Sequence, residues 1–579
     1  MGCSCCEHKH DENGRKVFSL RRFLFNEKTM MGEVLVATLI IGMWHEAIAI
    51  ALFFAVGEMC QDFAVRRSRK NITKLMDIRP DFANLKTGKE VRQVPPAEVQ
   101  IGATIIVKPG ERIPIDGVII SGQSYLDTRA ITGESVPRLA QKGDTVLSGT
   151  INTESVLEIK TTKLFGQSTV SKILELVENA QSKKSKSEEF ITKFARVFTP
   201  TIMIFAILVA VLPPLCGFGS YQTWVYRAVI FVAISCPCAL VMSIPLGVFG
   251  GIGGAARNGI LIKGGNYLES LNRINAIAFD KTGTLTKGVF EVSQVNLTGK
   301  LTSNELIFLA ANAEQHSPHP IAKSIIEYAK KTCPNFALVA TVAREKVGHG
   351  VQAKVNGKNV LCGNAGFVRD FIQNGAEQFN QTAVYIVVEN EYVGNILISD
   401  KTREETAGAI ADLRSVGIGK IVMLTGDNEQ TAKTVASDLG IDYRAGLLPA
   451  DKVAEFEKIK AENPDLRVAF VGDGMNDAPV LTRADVGIAL GGISTDAALE
   501  AADIVLMNDD LGKIATAKRI AKKTRHVIIQ NICLALGIKA TVMVLAFFGF
   551  AHIWAAVFAD VGVALMAILN ATRCLTIKK

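Results

Sequence analysis

Long apolar segments alternate with long polar segments along this chain. Four of the apolar segments are long enough for the ~20 residues that a membrane-spanning helix needs, and they lie at 194–215, 226–254, 527–550 and 553–575. A fifth, 32–63, is interrupted by His45, Glu46 and Glu58, and we interpret it as a helical hairpin with a tight turn near 44–46. The pattern therefore predicts six membrane helices.

Six spans place every large polar segment on one side of the membrane. Basic clusters at 66–70, 183–186 and 578–579 fall on that side, which the positive-inside rule makes cytoplasmic. Basic residues that face anionic lipid account for the net charge of +8, so no nucleic-acid partner is expected. The polar, Cys-rich amino terminus does not look like a cleavable signal peptide.

The polar segments differ in their periodicity. Between 78 and 193, short strands alternate apolar and polar residues, as at 104–108 and 117–120. Apolar runs at 274–279, 419–424 and 468–471 are instead each followed by glycines, hydroxyls and carboxylates. Such runs are typical of a doubly wound parallel sheet, in which the strands' carboxyl ends meet at one edge. We expect the catalytic site at that edge.

A carboxylate, Asp280, follows the first of these runs and opens the motif Asp-Lys-Thr-Gly-Thr. A carboxylate held in line with a γ-phosphate, beside Mg²⁺ and fixed donors, can form an acyl-phosphate. Downstream, Thr425 can hold phosphoryl oxygens and Lys452 can neutralise charge on the transferring group. Asp473 and Asp477 offer the oxygen ligands that Mg²⁺ prefers.

A Cys-Pro-Cys motif, Cys236-Pro237-Cys238, lies in the fourth predicted membrane helix. In a regular helix, residues two apart point about 200° away from each other and cannot share one ion. Pro237 opens the helix, so that the two thiols can converge. Thiolates select zinc, cadmium, lead or copper(I). The alternative is a kinked helix in which both cysteines only pack as small apolar side chains.

Two charges lie at membrane depth, Lys539 in the fifth helix and Asp560 in the sixth. Two thiolates and Asp560 carry three negative charges, which a divalent cation and Lys539 would neutralise. A monovalent copper ion would leave a buried negative charge. We expect Lys539 to act as a tethered counterion that pairs with Asp560 after the metal leaves; a purely structural pair is the alternative.

These motifs, in this order, resemble the P-type ATPases. Cys236-Pro237-Cys238 resembles their heavy-metal-transporting class, and Lys539 with Asp560-Val561-Gly562 resembles the zinc, cadmium and lead exporters. The resemblance implies a multidomain α/β fold joined to a polytopic α-helical membrane domain. Its parts would be a haloacid-dehalogenase-like phosphorylation domain with an inserted nucleotide-binding domain, and a β-rich actuator domain.

The implied domains run from a Cys/His-rich cytoplasmic tail to the last two membrane helices. They are the tail (1–28), membrane helices 1 and 2 (29–70), the actuator domain (78–193), membrane helices 3 and 4 with Cys-Pro-Cys (194–254), the phosphorylation domain (270–286 and 400–515), the nucleotide-binding domain (287–399) and membrane helices 5 and 6 (526–576).

The resemblance also implies residue roles and the cofactors ATP and Mg²⁺. Asp280 is phosphorylated, and Lys281 and Thr282 are catalytic residues of the same motif. Thr425 and Lys452 steady the phosphoryl group, and Glu134 orients water for hydrolysis. Asp280, the Thr282 carbonyl and Asp473 hold Mg²⁺, with Asp477 nearby. Nucleotide contacts fall to Glu314, His319, Gly348 and Gly350. The transported ion is held by Cys236, Cys238 and Asp560. Glu58 either lines the cytoplasmic entrance or is only a charge at a helix end.

The beginning of the chain departs from the family pattern. About thirty residues precede the first hydrophobic arm, where most heavy-metal members carry two more helices and soluble metal-binding domains. The tail motif Cys3-Ser4-Cys5-Cys6-Glu7-His8-Lys9-His10 could scavenge or sense metal, or be disordered with incidental cysteines. Eleven scattered cysteines indicate a reducing compartment rather than a disulfide framework.

The favoured function is ATP-driven export of Zn²⁺, Cd²⁺ or Pb²⁺ through an aspartyl-phosphate. We expect a monomer in the plasma membrane with cytoplasmic catalytic domains. A non-transporting metal-stimulated ATPase or metal sensor is the main alternative, and a copper(I) exporter is less favoured. The membrane segments exclude a soluble phosphatase.

Overall fold

The structure is a computed structural model, and it describes most of the chain. Described are residues 80–575 except 89, 133–136, 181–184, 235–237, 299–300, 318, 334–335, 340–341, 347–348, 372–381, 428, 463–464, 474–476 and 492–499, together with scattered positions between 32 and 66. The chain separates into two compact units. The first comprises Met1–Asn272 and Ala517–Lys579, and the second comprises Arg273–Thr516.

A β-rich domain opens the first unit. Its strands are β1 (Ala83–Thr87), β2 (Glu90–Val94), β3 (Thr104–Val107), β4 (Gly117–Ser121), β5 (Ser124–Asp127), β6 (Arg138–Ala140), β7 (Thr145–Val146), β8 (Ile151–Asn152) and β9 (Leu157–Thr161). They form a six-stranded sheet, β2-β1-β3-β9-β4-β7, and a three-stranded one, β6-β5-β8. Because successive side chains of a strand point to opposite faces, Ile105, Ile119 and Ile159 share one apolar core.

A short helix, α1 (Arg129–Thr132), lies within this β-rich domain, between β5 and β6. The helices that follow the domain are α2 (Thr169–Ala180), α3 (Lys186–Leu215), α4 (Tyr221–Ile234), α5 (Cys238–Ala256) and α6 (Gly265–Arg273), with strand β10 (Ile260–Ile262) between the last two. Four helical stretches among the described residues are long and apolar enough to cross a membrane: Lys186–Leu215, Tyr221–Ala256, Gly512–Phe547 and Ile553–Leu575. They coincide with the four long apolar segments of the sequence. The described positions of the predicted hairpin at 32–63 are helical on both sides of a turn at Gly42, which adopts φ 81°. The turn therefore lies slightly before the predicted 44–46, where Trp44 and His45 are helical.

The second unit is built on a parallel sheet. Its strands in chain order are β11 (Ala276–Asp280), β12 (Thr286–Leu297), β13 (Val342–Lys346), β14 (Gly350–Val355), β15 (Lys358–Gly363), β16 (Thr382–Val388), β17 (Glu391–Thr402), β18 (Lys420–Leu424), β19 (Asp442–Arg444), β20 (Val468–Gly472), β21 (Val486–Ala489) and β22 (Ile504–Leu506). Strand β11 pairs in parallel with both β18 and β20. The order across the sheet within this unit is β22-β21-β20-β11-β18-β19.

Burial explains why the central strands are apolar throughout. All five residues of β11 and of β20 are buried, as expected for a sheet that is covered on both faces. The helices of this unit are α7 (Ser303–Ala313), α8 (Pro320–Thr332), α9 (Thr406–Ser415), α10 (Glu429–Leu439), α11 (Pro449–Glu462) and α12 (Ala478–Arg483). The predicted strands at 274–279, 419–424 and 468–471 are confirmed.

A second sheet is inserted between β11 and β18. It is antiparallel, in the order β12-β17-β16-β15-β14-β13, and α7 and α8 pack on it through an apolar cluster that includes Leu306, Ile325 and Ile386. The chain leaves the parallel sheet through β12 and returns through β17, which pair along their lengths. The predicted insertion between the two halves of the α/β sheet is therefore present.

The last helices return to the first unit. They are α13 (Gly512–Phe547), α14 (Ile553–Val557) and α15 (Val563–Ala571). A π-helical turn, Phe558–Gly562, joins α14 to α15, and a short 3-10 turn, Thr572–Leu575, follows. Glycines on α5 allow close packing here, because a Cβ on Gly250 would lie 3.0 Å from Cys574 Cβ.

Candidate functional site

A buried carboxylate stands at the carboxyl end of the central strand. Asp280 closes β11 and is 6% exposed. The chain then turns through Lys281–Leu285, where Gly283 adopts φ 74°, a left-handed conformation that glycine accepts at little cost. The turn exposes Thr282 and buries Thr284. Thr284 Oγ1 has no hydrogen-bond partner among the described residues, so this loop keeps a hydroxyl for a ligand.

Lys452 bridges two carboxylates at this strand edge. Its Nζ lies 2.5 Å from Asp280 Oδ1 and 3.0 Å from Asp477 Oδ1. The lysine comes from the first turn of α11, and Asp477 immediately precedes α12. Burial lowers the pKa of Lys452, but the two carboxylates outweigh it, and the pKa lies above its usual value. The amine is therefore charged and points at the nucleophile.

The charge at this site is unbalanced. Burial, and next the charge of Asp477, raise the pKa of Asp280 to about 6, with Lys452 opposing and Asp473 adding to the shift. Burial likewise raises the pKa of Asp477. Among the described groups that act on Asp280 are two further carboxylates and one ammonium group, and together with Asp280 they carry a net charge of minus two. A divalent cation would neutralise them, so the donor chemistry fits Mg²⁺.

These carboxylates are not drawn together as a closed metal cage. Within the described residues, no group of three or more His, Cys, Asp or Glu side chains is placed to hold a metal ion. Mg²⁺ does not need one, since it commonly takes one or two carboxylates and fills its other positions with waters and substrate phosphates.

Thr425 follows β18 at the same edge and is 2% exposed. Its Oγ1 accepts a hydrogen bond of 3.1 Å from the backbone N–H of Asp427, which leaves the hydroxyl proton free to be donated. Lys281, expected to be catalytic, forms an ion pair with Asp427 and lies 4.0 Å from Asp400 Oδ2. Lys281, next to the nucleophile, therefore links Asp427, which follows β18, to Asp400 in β17.

The loop after Asp280 is held by residues more than a hundred positions away. Arg403 Nη2 donates to the Gly283 carbonyl at 2.9 Å, and Arg403 Nε donates to the Thr286 carbonyl at 3.1 Å. Thr286 Oγ1 donates to Asp400 Oδ2 at 2.5 Å. No local pattern in the sequence indicates these contacts of Asp400 and Arg403. Thr286 was missed altogether.

The predicted nucleotide contacts are only partly described. Glu314 is 7% exposed at the end of α7, and His319 is exposed at the start of α8, where its Nδ1 accepts from the Ile321 N–H. A side chain on Gly350 would overlap the Cys362 carbonyl and the Gly363 Cα, so only glycine fits. Gly348 lies outside the described residues.

A second lysine–aspartate pair is buried between the last membrane helices. Lys539 Nζ, on α13, lies 2.9 Å from Asp560 Oδ1 in the π-helical turn. The same Nζ donates to the Ile234 carbonyl at 3.0 Å. Ile234 ends α4, two residues before Cys236. Lys539 is 2% exposed and Asp560 is 8% exposed.

Two predicted residues lie outside what the structure describes, and the described features of two others do not decide their predicted roles. Cys236 and Glu134 lie in undescribed segments, and of Cys238 only the backbone, at the start of α5, is described. Glu58 is an exposed helical residue. Their predicted roles stay predictions.

Comparisons with known proteins agree with this geometry. A family model for haloacid dehalogenase-like hydrolases matches residues 274–485, and one for the P-type ATPase actuator domain matches residues 77–178. These two domains on one chain with membrane helices define a P-type ATPase.

Relatives narrow the class further. A cadmium, zinc and cobalt-transporting ATPase of Bacillus subtilis is 49% identical over 563 residues, which cover 96% of this chain and 80% of that protein. A zinc-transporting ATPase of Synechocystis is 50% identical over 564 residues, with coverages of 97% and 78%. A crystal structure of a zinc-transporting PIB-type ATPase in the E2·Pi state is 36% identical, with TM-score 0.63, and covers 95% of this chain and 90% of that one.

The chain belongs to the heavy-metal-transporting P-type ATPases. It is an integral membrane protein with cytoplasmic catalytic domains, and it uses ATP and Mg²⁺ to export metal. The predicted fold class and enzyme class are confirmed.

Proposed function

We propose that this chain exports a soft divalent cation from the cytoplasm and that Asp560, Cys236 and Cys238 hold the cation during transport. The observation that carries the proposal is the buried Lys539–Asp560 pair, whose lysine also contacts the carbonyl of Ile234, two residues before the Cys-Pro-Cys segment. A buried charge pair in a membrane domain is costly and marks an ion pathway.

Charge balance favours a divalent cargo. In the absence of cargo, Lys539 neutralises Asp560. A divalent cation and two thiolates add no net charge, so the site stays neutral when Lys539 remains nearby. Zinc, cadmium and lead are the proposed cargoes. The names of relatives add cobalt, which the charge argument accommodates because cobalt is also divalent.

For the chemistry, we propose that an oxygen of Asp280 attacks the γ-phosphorus of ATP while the bond from that phosphorus to the ADP oxygen breaks. Lys452 and Thr425 would stabilise charge on the phosphoryl oxygens by donating hydrogen bonds. Mg²⁺, when bound through Asp280, the Thr282 carbonyl and Asp473, would neutralise the surplus negative charge. Asp477 would orient Lys452, which it contacts at 3.0 Å.

Hydrolysis would return Asp280 to its free form. We propose that Glu134 accepts a proton from the attacking water, whose oxygen bonds to phosphorus as the bond to the Asp280 oxygen breaks. His319, Glu314, Gly348 and Gly350 are proposed to bind ATP, and Glu58 is proposed to line the cytoplasmic entrance. A monomer in the plasma membrane remains the expected assembly and location.

Vesicle transport tests the proposal. Full-length protein in sealed vesicles should accumulate zinc, cadmium, lead or cobalt when ATP is outside. Accumulation should stop in Cys236→Ala and in Asp280→Asn, whereas Cys216→Ala, an exposed cysteine at the end of α3, should transport normally. Metal-stimulated ATP hydrolysis without accumulation in the wild type would reject export and favour a metal sensor. Accumulation that persists in Cys236→Ala would reject the ligand assignment.

A further inference from the structure

A buried hydroxyl on α5 has no role in the function described above. Ser243 is 0% exposed, and its Oγ has no hydrogen-bond partner among the described residues. Burying a hydroxyl without a hydrogen-bond partner carries an energetic cost. Alanine would avoid that cost at almost the same volume, so the hydroxyl calls for a ligand that comes and goes.

Packing contacts fix the level of Ser243 against α13. A Cβ on Gly251 would lie 2.5 Å from Thr524 Oγ1, and one on Gly247 would lie 3.6 Å from Ile528 Cγ1. Gly247 and Gly251 of α5 therefore face Ile528 and Thr524 of α13 in reverse numerical order, so the two helices run antiparallel. Ser243 is one turn before Gly247 on the same face, and this places it level with residues 531–532.

Contacts with the last helix give the same level. A Cβ on Gly250 would lie 3.4 Å from the Ala571 carbonyl, and one on Gly254 would lie 2.9 Å from the Cys574 carbonyl. The helices run parallel here, so Ser243, seven residues before Gly250, is level with 564–567. Asn531 Nδ2 donates to the carbonyl of Ala567 at 3.0 Å. Ser243 and Asn531 therefore lie in one layer where α5, α13 and α15 meet.

This layer is polar and continues toward the cytoplasmic side. Asn531 is 0% exposed, and its Oδ1 accepts from Asn570 Nδ2 at 2.9 Å. Asn570 Oδ1 accepts in turn from Arg573 Nη1 at 2.8 Å. Gln530 also contacts both Asn570 and His526. A series of side-chain oxygen atoms thus leads from the ends of α13 and α15 nearest the cytoplasm to the layer of Ser243 and Asn531.

The layer also lies close to the proposed cargo site. From Ser243 to Cys238 is five residues, or about 7 Å along a helix, and from residues 564–567 to Asp560 is about 6–10 Å. Ser243 lies on the cytoplasmic side of both, because α5 continues from it to Ala256, after which the chain leaves the membrane helix for the cytoplasmic domains. A cation that enters from the cytoplasm would pass this layer before it reaches Asp560.

We propose that Ser243, with Asn531 in the same layer, forms a weak oxygen site that holds the incoming divalent cation before it transfers to the Cys-Pro-Cys and Asp560 site. The inference rests on the proposed function. A hydroxyl and an amide oxygen are weak ligands for a soft cation, and a site on a pathway must release its ion as readily as it binds it.

The rate of metal loading tests this site. Purified full-length protein is mixed with cadmium in a stopped-flow instrument, and a fluorescent chelator reports the free cadmium. Ser243→Ala should load about fivefold more slowly, the factor expected for one lost neutral ligand. It should bind as many cadmium ions per chain at equilibrium as the wild type. The control is Thr541→Ala, whose hydroxyl only bonds the Gly537 carbonyl of its own helix, and it should load at the wild-type rate.

A thiol at this position gives the opposite, independent readout. Ser243→Cys should bind cadmium more tightly in the layer and slow its transfer, which appears as slower cadmium release to excess chelator. Loading of Ser243→Ala at the wild-type rate would overturn the proposal, as would unchanged cadmium release from Ser243→Cys. Loading needs no ATP, so the vesicle assay on the wild type tests export separately.

Discussion

Two buried lysine–aspartate pairs occupy the two halves of this protein, and they differ in what surrounds them. Lys452 and Asp280 lie beside Asp477 and Asp473, so the pair sits in surplus negative charge. Lys539 and Asp560 lie among apolar helices, and Lys539 also contacts the uncharged carbonyl of Ile234. The first pair lies in a net negative environment, whereas the charges of the second pair neutralise each other.

The two sites therefore respond differently to an incoming cation. At Asp280 the surplus of two negative charges attracts a divalent cation, and the lysine stays in place to meet the phosphoryl group. In the membrane, the neutral pair does not attract a cation by net charge. The cargo must therefore bind the thiolates as well, and it must displace the amine of Lys539 from Asp560.

The largest effect should come from Asp280→Asn. An amide cannot act as the nucleophile, and we expect ATP hydrolysis to fall at least about a thousandfold. Radioactive γ-labelled ATP followed by acid precipitation measures the phosphorylated protein directly. Asp442→Asn, on the edge strand of the same sheet and exposed, should phosphorylate normally. Labelling of Asp280→Asn at the wild-type level would contradict the assignment.

Lys452→Met should lower the rate of phosphorylation about a hundredfold or more, because it removes a fixed positive charge from the transition state. The Lys420→Met variant is the matched control, since Lys420 lies in the same unit and pairs with the partly exposed Glu462. Single-turnover kinetics at saturating ATP separate this loss from weaker nucleotide binding. Equal rates for the two variants would show that Lys452 only supports the fold.

Lys539→Met should destabilise the membrane domain by about 3–5 kcal/mol, because it leaves the carboxylate of Asp560 buried without its partner. Lys539→Met combined with Asp560→Leu should recover most of that stability. Thermal unfolding in detergent measures both. For transport, the counterion proposal expects Lys539→Met to uncouple ATP hydrolysis from metal. Intact coupling in this variant would favour a purely structural pair.

The smallest effect is a pH dependence of stability in the presence of a Mg²⁺ chelator. The pKa of Asp280 is raised from 3.8 to about 6, so the folded protein binds more protons than the unfolded chain between those values. Stability is therefore lost as pH rises through this window. Above pH 6, Asp280→Asn should be more stable than the wild type by about 1–3 kcal/mol, and below pH 4 the difference should vanish. Hydrogen exchange of β11 measures it. A difference that is independent of pH would refute the raised pKa.

Sequence periodicity predicted much of the fold, for physical reasons that single residues make plain. Strands β11, β18 and β20 are buried on both faces, so they appear as unbroken apolar runs, and the catalytic loops follow them directly. The sequence indicated that Lys452 neutralises charge on the transferring group, but not that it contacts Asp280. The lysine comes from a helix, and its distance from Asp280 depends on tertiary packing. The contact of Arg403 with Gly283 crosses the whole inserted domain and has no local signal. Ser243 looks like any small residue in an apolar helix.

Sulfur coordination of the bound cargo tests the central claim most directly. X-ray absorption at the cadmium edge should be measured on the full chain carrying Cys3→Ser, Cys5→Ser and Cys6→Ser, so that the tail thiols do not contribute. One cadmium per chain with sulfur neighbours, lost in the added Cys236→Ala and Cys238→Ala changes, is the expected result. One cadmium per chain surrounded only by oxygen and nitrogen would contradict the account.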